Sequence, residues 1–460
     1  MITKQYIDEL KKEGNGAIGE LVKSQNDGSG IVYILENLGY LPNDFDGSWL
    51  PDLLEHKNKH VRLWATKTIG KLKDTTYIPH LEKTALNDEV TEIRREAVSS
   101  IGRQRSENAK EILYKILGDT DPKIVCQAIR ALLVFKGKKE VDEKLKSLIN
   151  HENEMVTKVI YKEYFAKSNE KTSEQPHTES YDFLKNVVVN DDVREVLKLI
   201  PDESFHLTFT SPPYYNARDY SIYPSYQAYL DFLEEVFQLT YNKTKEGRFL
   251  IVNTSPIIIP RISRQHSSKR YPIPFDIHHF LVQMGWEFID DIVWVKPEAS
   301  VKNRVGGFMQ HRKPLGYKPN AVTEYLMVYR KQTSKLLDWN IRQYDRETVE
   351  ESKVKGDFES TNAWHIDPTF NKVHSAVFPI ELCKRVIEYY SYKGDLVFDP
   401  FGGSGTFGRT AKSMDRHFFL TEQEPKYFEY MKTHFKNDSL FKERKTQFLS
   451  LKEFNKTINK

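Results

Sequence analysis

Thr210-Ser211-Pro212-Pro213-Tyr214, in the middle of a 460-residue chain, sets a hydroxyl, two prolines and an aromatic ring in succession. This combination suits work on the exocyclic amine of a nucleobase. Such an amine is a poor nucleophile because its lone pair is delocalised into the ring. Drawing it toward tetrahedral geometry takes acceptors held rigidly against its hydrogens. The Ser211 hydroxyl oxygen and the Pro212 carbonyl are such acceptors. Proline fixes φ and carries no amide hydrogen, so Pro212 and Pro213 stiffen the loop. Tyr214 offers a flat face to a base taken out of its stack. The motif holds no cysteine, and the chemistry needs no covalent enzyme intermediate.

A second motif, Asp399-Pro400-Phe401-Gly402-Gly403-Ser404-Gly405-Thr406, reads as a glycine-rich turn after a strand. Its glycines let the backbone turn tightly and approach a ligand. It lacks the lysine of a phosphate-binding P-loop and the G-x-G-x-x-G spacing of a nicotinamide site. Glu422 ends the next apolar run, where a carboxylate can accept hydrogen bonds from both hydroxyls of a ribose.

The elements that carry these residues alternate. Strands are expected at 187–189, 205–210, 249–253, 289–295, 325–329, 396–398 and 418–421. Helices are expected at 193–200, 226–240, 275–284, 379–390 and 407–414. Such alternation implies an α/β domain around a largely parallel sheet, with ligands at the carboxyl ends of the strands. Both motifs stand at such ends.

The motif order, with Ser211 to Tyr220, Ile292 to Pro297, Asp399 to Thr406 and Glu422, resembles the beta class of DNA amino-methyltransferases over residues 181–435. The resemblance implies a Rossmann-like methyltransferase fold with S-adenosyl-L-methionine as cofactor. By it, Ser211, Pro212, Pro213 and Tyr214 are catalytic. Asp399, Pro400, Phe401, Gly403, Ser404, Gly405, Thr406 and Glu422 hold the cofactor. Phe378, in His374-Ser375-Ala376-Val377-Phe378, resembles the segment that cradles its methionine moiety. Asp192 is a candidate adenine-side contact, although Asn190-Asp191-Asp192 departs from the usual Gly-Asp. Val295 stands where the family often has asparagine. Serine leading the motif favours the N4 amine of cytosine over the N6 amine of adenine. The implied setting is a restriction-modification system with double-stranded DNA as substrate and a cognate endonuclease as partner; a homodimer is a candidate assembly. An N6-adenine enzyme and a helical scaffold with a decayed methyltransferase domain are the competing readings.

The amino-terminal third repeats. Val61, Ile93, Ile124 and Val156 recur every 31 or 32 residues, the first three followed at four and eight residues by Ala65, Ala97, Ala128 and Ile69, Ile101, Leu132. This apolar row marks one buried helix face, and polar turns such as Asn87-Asp88-Glu89 separate the helices. Stacked helical hairpins form a solenoid, and these units resemble short HEAT-like repeats over residues 50–165. The expected division is a HEAT-like domain at 1–166, a polar linker at 167–180 and the α/β domain at 181–460. The repeats are expected to engage DNA or a protein partner.

With a formal charge of +3, DNA binding has to come from local patches. Arg261, Arg264, Lys269 and Arg270 form one basic stretch, and Lys302, Arg304, Arg312 and Lys313 belong to another. Both are candidates for phosphate contact. Residues 331–363 are the candidate target-recognition segment. Two cysteines, Cys126 and Cys383, exclude a disulfide framework and a four-cysteine zinc site, and no metal is expected. The amino terminus lacks an apolar signal core and no run is long enough to span a bilayer, so a cytoplasmic location is expected.

Overall fold

The computed structural model describes the chain except for residues 1, 15, 73, 166–175, 216–222, 260–262, 264, 266–268, 302–313, 316–318, 370–376, 436–444 and 459–460. Two units emerge, Met1–Lys167 and Ser168–Lys460.

In the first unit the repeated rows are the second helices of successive hairpins: Lys59–Ile69, Thr91–Gln104, Pro122–Leu132 and Glu154–Ile160. Each packs on the next. Ala65, Ala97 and Ala128 are fully buried between them. A side chain at Gly102 would come within 2.6 Å of the Ala131 side chain, which is why glycine stands at that crossing. The recurring Arg62 and Arg94 explain the polar turns. Arg62 Nε donates to Asp88 Oδ2 at 2.8 Å, and Arg94 pairs with Asp119 one repeat later. Each aspartate also accepts a turn amide, Val90 N–H at 2.8 Å on Asp88 and Asp121 N–H at 2.8 Å on Asp119. The arginine of one repeat thereby fixes the turn that starts the next.

The second unit is built on β1 (Val187–Asn190), β2 (Phe205–Thr210), β3 (Thr244–Thr254), β4 (Ile257–Ile259), β5 (Lys269–Tyr271) and β6 (Trp286–Val295). There follow β7 (Thr323–Lys331), β8 (Ala363–His365), β9 (Leu396–Asp399), β10 (His417–Thr421) and β11 (Gln447–Ser450). Among the described residues nine of them form one sheet, in the order β11-β1-β10-β9-β2-β3-β7-β6-β8, and β4 pairs with β5. From β11 to β3 the neighbours are parallel; β7 runs antiparallel to both β3 and β6. The sheet is clothed on both faces, as the strand sequences require. Val188, Phe418 and Leu420 pack with Leu382, Phe407 and Met431 of helices Ile380–Tyr390, Thr406–Ser413 and Pro425–Phe435. Val187, Val189 and Phe419 face Val193, Val196 and Phe454 on the other side.

From β2 the chain moves to β3, outward in one direction; from β9 it moves to β10, outward in the other. The crevice between the carboxyl ends of β2 and β9 is therefore the topological switch point, the place where such sheets bind ligands.

The elements expected from sequence are present. The structure adds β4, β5, β8, β11 and the helices Leu337–Ile341, Arg346–Ser352, Pro425–Phe435 and Leu451–Ile458. It also relocates two segments. Residues 176–180, expected at the end of the linker, pack into this unit: Ser180 is buried, the His177 ring meets Trp339 edge-on at 4.8 Å, and the His177 carbonyl lies 3.0 Å from His206 Nε2. The candidate recognition segment 331–363 begins at the opposite rim from Ser211. Asn340 Nδ2 donates to Gly247 O at 2.7 Å and Tyr344 Oη to Asp395 Oδ1 at 2.5 Å, both at the amino ends of central strands. The segment reaches the carboxyl-end rim only at β8, beside Val293–Val295 of β6.

Asp88→Ala leaves the Arg62 guanidinium buried with Glu89 alone as acidic partner. The first unit is expected to lose roughly 2–3 kcal/mol, below the ~3–5 kcal/mol of stranding a buried charge outright, because Glu89 and the His56 carbonyl still engage the guanidinium. Chemical denaturation of the full chain checks this, since a loss below about 0.5 kcal/mol would remove the buried pair as a determinant of repeat stacking.

Candidate active site

Thr210 and Asp399 end adjacent strands. The β2–β9 ladder is in register at Leu207↔Val397 and Thr208↔Phe398. Beyond it the link passes to side chains: Thr210 Oγ1 donates to Asp399 Oδ1 at 2.7 Å, and both residues are buried. The same carboxylate oxygen accepts the Phe401 amide at 3.0 Å. Neither donor is a cation, so burial prevails and pushes the Asp399 carboxyl up to about 7, against the lowering effect of these two bonds.

The turn after Asp399 is shaped by its glycines. Gly403 and Gly405 have φ of 52° and 73°, in the left-handed region. A side chain at Gly405 would lie 2.7 Å from the Phe435 ring. Gly402 N–H donates to Thr421 O at 2.8 Å, and Thr421 Oγ1 returns a bond to Pro400 O at 2.7 Å, so the loop is laced to β10. Ser404 and Thr406 are buried, their hydroxyls 2.9 Å apart.

Glu422 follows β10 directly. It accepts the Gly403 amide at 2.7 Å on one oxygen and the Glu424 amide at 2.8 Å on the other. Burial pushes its carboxyl up to about 7 despite these bonds, with the Asp399 charge adding to the rise. Asn190, at the end of β1, donates to the Glu422 carbonyl at 2.7 Å and so draws the neighbouring strand end to the same place. Asp192 caps the helix Val193–Lys198 and is engaged by Arg194, through its amide at 2.9 Å and its guanidinium at 2.7 Å. Burial would raise the Asp192 carboxyl, but Arg194 outweighs it and holds the group below the usual range. Phe378 stacks on Phe209 of β2, with ring centroids 4.5 Å apart. His374, Ser375 and Ala376 lie outside the described residues.

On the other side of the crevice, Ser211 and Pro213 are partly exposed and Pro212 is buried. The Tyr214 hydroxyl is tethered to Glu324 Oε2 at 3.3 Å and hydrogen-bonds Ser211 and Ser255 as well. Burial, reinforced by the Glu324 charge, holds this phenol well above its usual value. Glu324 also pairs with Lys296, which lies over the Trp294 ring at 4.3 Å. Lys296 is thus half of an internal ion pair. It lines a cleft with Val295, Pro297, His365, Ile366 and Asp367. Sequence reasoning misses both Glu324 and Ser255; the one legible signal is a lone acid opening an apolar strand, 323–329, opposite Trp294.

Tyr215 packs edge-on against Tyr271 at 4.9 Å, which joins the Ser-Pro-Pro-Tyr loop to the β4–β5 ribbon. That ribbon exposes Lys269 and Arg270. Of the expected DNA contacts these two belong to the described structure; Arg261, Arg264, Lys302, Arg304, Arg312 and Lys313 lie outside the described residues. Among the described residues no cluster of three metal-ligating side chains occurs, and no helix is long and apolar enough to cross a membrane.

Residues 205–433, from the start of β2 almost to the end of the helix after Glu422, match the DNA methylase family. The carboxy-terminal unit belongs to the N6/N4 DNA methylase family. Residues 33–102 and 83–161 match HEAT repeats. The Type II beta methyltransferase M.BslI of Bacillus sp. (strain NEB-606) is 26% identical over 253 residues, covering 53% of this chain and 26% of that protein. The Type II methyltransferase M.Cfr9I of Citrobacter freundii is 28% identical over 269 residues, covering 51% of this chain and 83% of its own. This chain thus spans about a quarter of M.BslI and most of M.Cfr9I. Among solved structures, the putative DNA modification methylase TTHA0409 of Thermus thermophilus, complexed with S-adenosyl-L-methionine, is 25% identical with a TM-score of 0.46, covering 58% of this chain and 98% of its own.

The two elevated carboxyls of the methylase unit have a pH signature. Asp399 and Glu422 keep protons in the folded chain up to about pH 7, whereas unfolded carboxyls lose theirs near 4. Between those values the folded state binds more protons, so their contribution to stability falls as pH rises. The melting temperature of the methylase unit is expected to fall from pH 5 to pH 8, and Glu422→Gln should flatten that slope. A slope unchanged in the variant would contradict the burial assigned to Glu422.

Proposed function

We propose that the chain transfers a methyl group from S-adenosyl-L-methionine to the N4 amine of a cytosine extruded from duplex DNA, as the modification activity of a restriction-modification system. One observation carries this reading: the Thr210–Asp399 bond sets the amine-holding loop and the glycine turn at one switch point.

The residues present fit the cofactor. Glu422, directly after β10, has both oxygens on amide donors, a polarity suited to accepting ribose hydroxyls instead, and the Gly403–Gly405 backbone leaves room for close approach. Phe401 and Phe378 are partly buried apolar surface around the same strand ends. Asp192, engaged by Arg194, reaches an adenine only by exchanging that partner. The cofactor, when bound, supplies an electrophilic methyl group on a sulfonium centre. The chain's own work is orientation. The Ser211 hydroxyl and the Pro212 carbonyl accept the amine hydrogens and turn the nitrogen lone pair out of conjugation. Pro212 and Pro213 keep those acceptors from relaxing. Tyr214, fixed at its hydroxyl by Ser211, Ser255 and Glu324, presents a ring that cannot swing away from a stacked base. The reaction is complete when the nitrogen has gained the methyl group and lost one proton. Lys269 and Arg270 on the ribbon next to Tyr215 serve phosphate contact, and a serine at the head of the loop favours cytosine.

Nucleoside analysis of duplex DNA incubated with the protein and methyl-labelled cofactor is expected to give N4-methylcytosine; N6-methyladenine would overturn the base assignment. Ser211→Ala is expected to keep cofactor affinity and lose roughly 2–4 kcal/mol of transition-state stabilisation, the scale for a preorganised polar contact. Glu422→Ala is expected to weaken cofactor binding in calorimetry while DNA affinity holds. Wild-type turnover in the first variant or a wild-type dissociation constant in the second would remove that residue from its role.

A further inference from the structure

The amino-terminal unit segregates its charge. On or beside the first helices of the hairpins, lysines are neutralised between repeats: Lys83 by Glu55 at 2.8 Å, Lys115 by Glu82 at 3.0 Å and Lys138 by Glu107 at 2.6 Å. The second helices differ. Of their acids, Glu96 and Glu154 are taken by Arg103 and Lys158 of the same helices, each at 2.6 Å, and Glu92 stands exposed in the first turn of its helix. Lys67, Arg95 and Arg130 on these helices, and Lys162 in the wider turn Tyr161–Phe165 that continues the last of them, have no carboxylate partner among the described residues. Arg95, Arg130 and Lys162 are exposed, and Lys67 lies over the Trp64 ring at 4.5 Å.

Register aligns these four. Lys67, Arg130 and Lys162 stand six residues after Val61, Ile124 and Val156, the equivalent buried positions of their repeats. Ser99 holds that place in the repeat of Ile93, and Arg95, one turn earlier on the same helix face, supplies the cation there. Successive second helices are packed side by side. The cations therefore form a row crossing three packed-helix steps of about 8–10 Å each, roughly 24–30 Å in all, most of one turn of B-DNA at roughly 34 Å.

We propose that the second-helix face of the amino-terminal unit is a phosphate-binding track for duplex DNA, built on Lys67, Arg95, Arg130 and Lys162. It rests on the reading of the chain as a DNA methyltransferase and adds a substrate-binding surface outside the methylase unit. A row of cations without carboxylate partners meets a polyanion. Contacts of this kind hold DNA without reading its bases.

The test uses the full chain with all four residues changed to alanine. Its control removes the same number of charges from the paired face, changing Lys83, Lys115, Lys138 and Lys139, the last paired with Glu143 at 3.9 Å, to alanine. Binding of a labelled duplex is followed by fluorescence anisotropy from low to moderate salt, with cofactor binding measured by calorimetry on the same samples. The track variant is expected to bind DNA at least tenfold more weakly at low salt, with the slope of log K against log salt reduced by about 3.6, at roughly 0.9 for each of the four phosphates left without its cation. The control is expected to keep the wild-type slope, and both variants should bind the cofactor normally. Equal slopes in the track variant and wild type would overturn the proposal, and so would an equal loss in the control. A wild-type chain that transfers no methyl group to the same duplex, measured separately with methyl-labelled cofactor, would instead refute the reading beneath it.

Discussion

Asp399 is a carboxylate at the end of a central strand, buried without a cation. Its partners are a threonine hydroxyl from the next strand and one amide of its own turn. That bond is where the two halves of the sheet meet, one running outward through β10, β1 and β11, the other through β3, β7, β6 and β8. With the backbone ladder in register at two pairs here, a side-chain bond does the joining at the carboxyl rim. The arrangement costs ionisation energy, visible in the raised Asp399 carboxyl, and gains a fixed distance between the Ser211–Tyr214 loop and the glycine turn after Asp399.

The opposite rim is pinned by other means. Asp395, just before the same strand, is fully buried but paired with Arg248 of β3 and bonded to the Tyr344 hydroxyl. His206, at the foot of β2, accepts the Leu396 amide on Nδ1 at 3.0 Å and faces the His177 carbonyl with Nε2. Burial, with the nearby Arg248 and Lys245 charges, keeps this imidazole neutral, and its two bonds define its tautomer. Strands β2 and β9 are therefore clamped at both ends, by a compensated charge below and an uncompensated one above. This clamp also explains why residues 331–345 serve structure: they bring Asn340 and Tyr344 to the amino-end rim.

Much of this is legible in the residues. The alternation of apolar runs implies the sheet, and Asp399 to Thr406 and Ser211 to Tyr214 mark strand ends because glycine and proline interrupt those runs. The row of Ala65, Ala97 and Ala128 marks the solenoid. What escapes has a common cause. Thr210–Asp399, Tyr214–Glu324 and Arg248–Asp395 join residues far apart in the chain, and no local spacing announces them. Nothing near Lys296 in sequence shows its partner Glu324 across the β6–β7 ladder. The pairing of Arg62 with Asp88 is hidden likewise, although both residues stand inside a repeat that the sequence makes plain.

The most direct test removes the Thr210 hydroxyl and keeps its shape. With Thr210→Val, Asp399 retains one amide and no bond across the crevice; with Thr210→Ser, the hydroxyl remains. Cofactor dissociation constants and single-turnover methylation rates would be measured for both. The valine variant is expected to lose at least tenfold in both cofactor affinity and rate, a coupled loss of about 1.4 kcal/mol or more in each, while the serine variant stays close to wild type. Wild-type affinity and rate in the valine variant would contradict the claim that this bond unites the two motifs into one site.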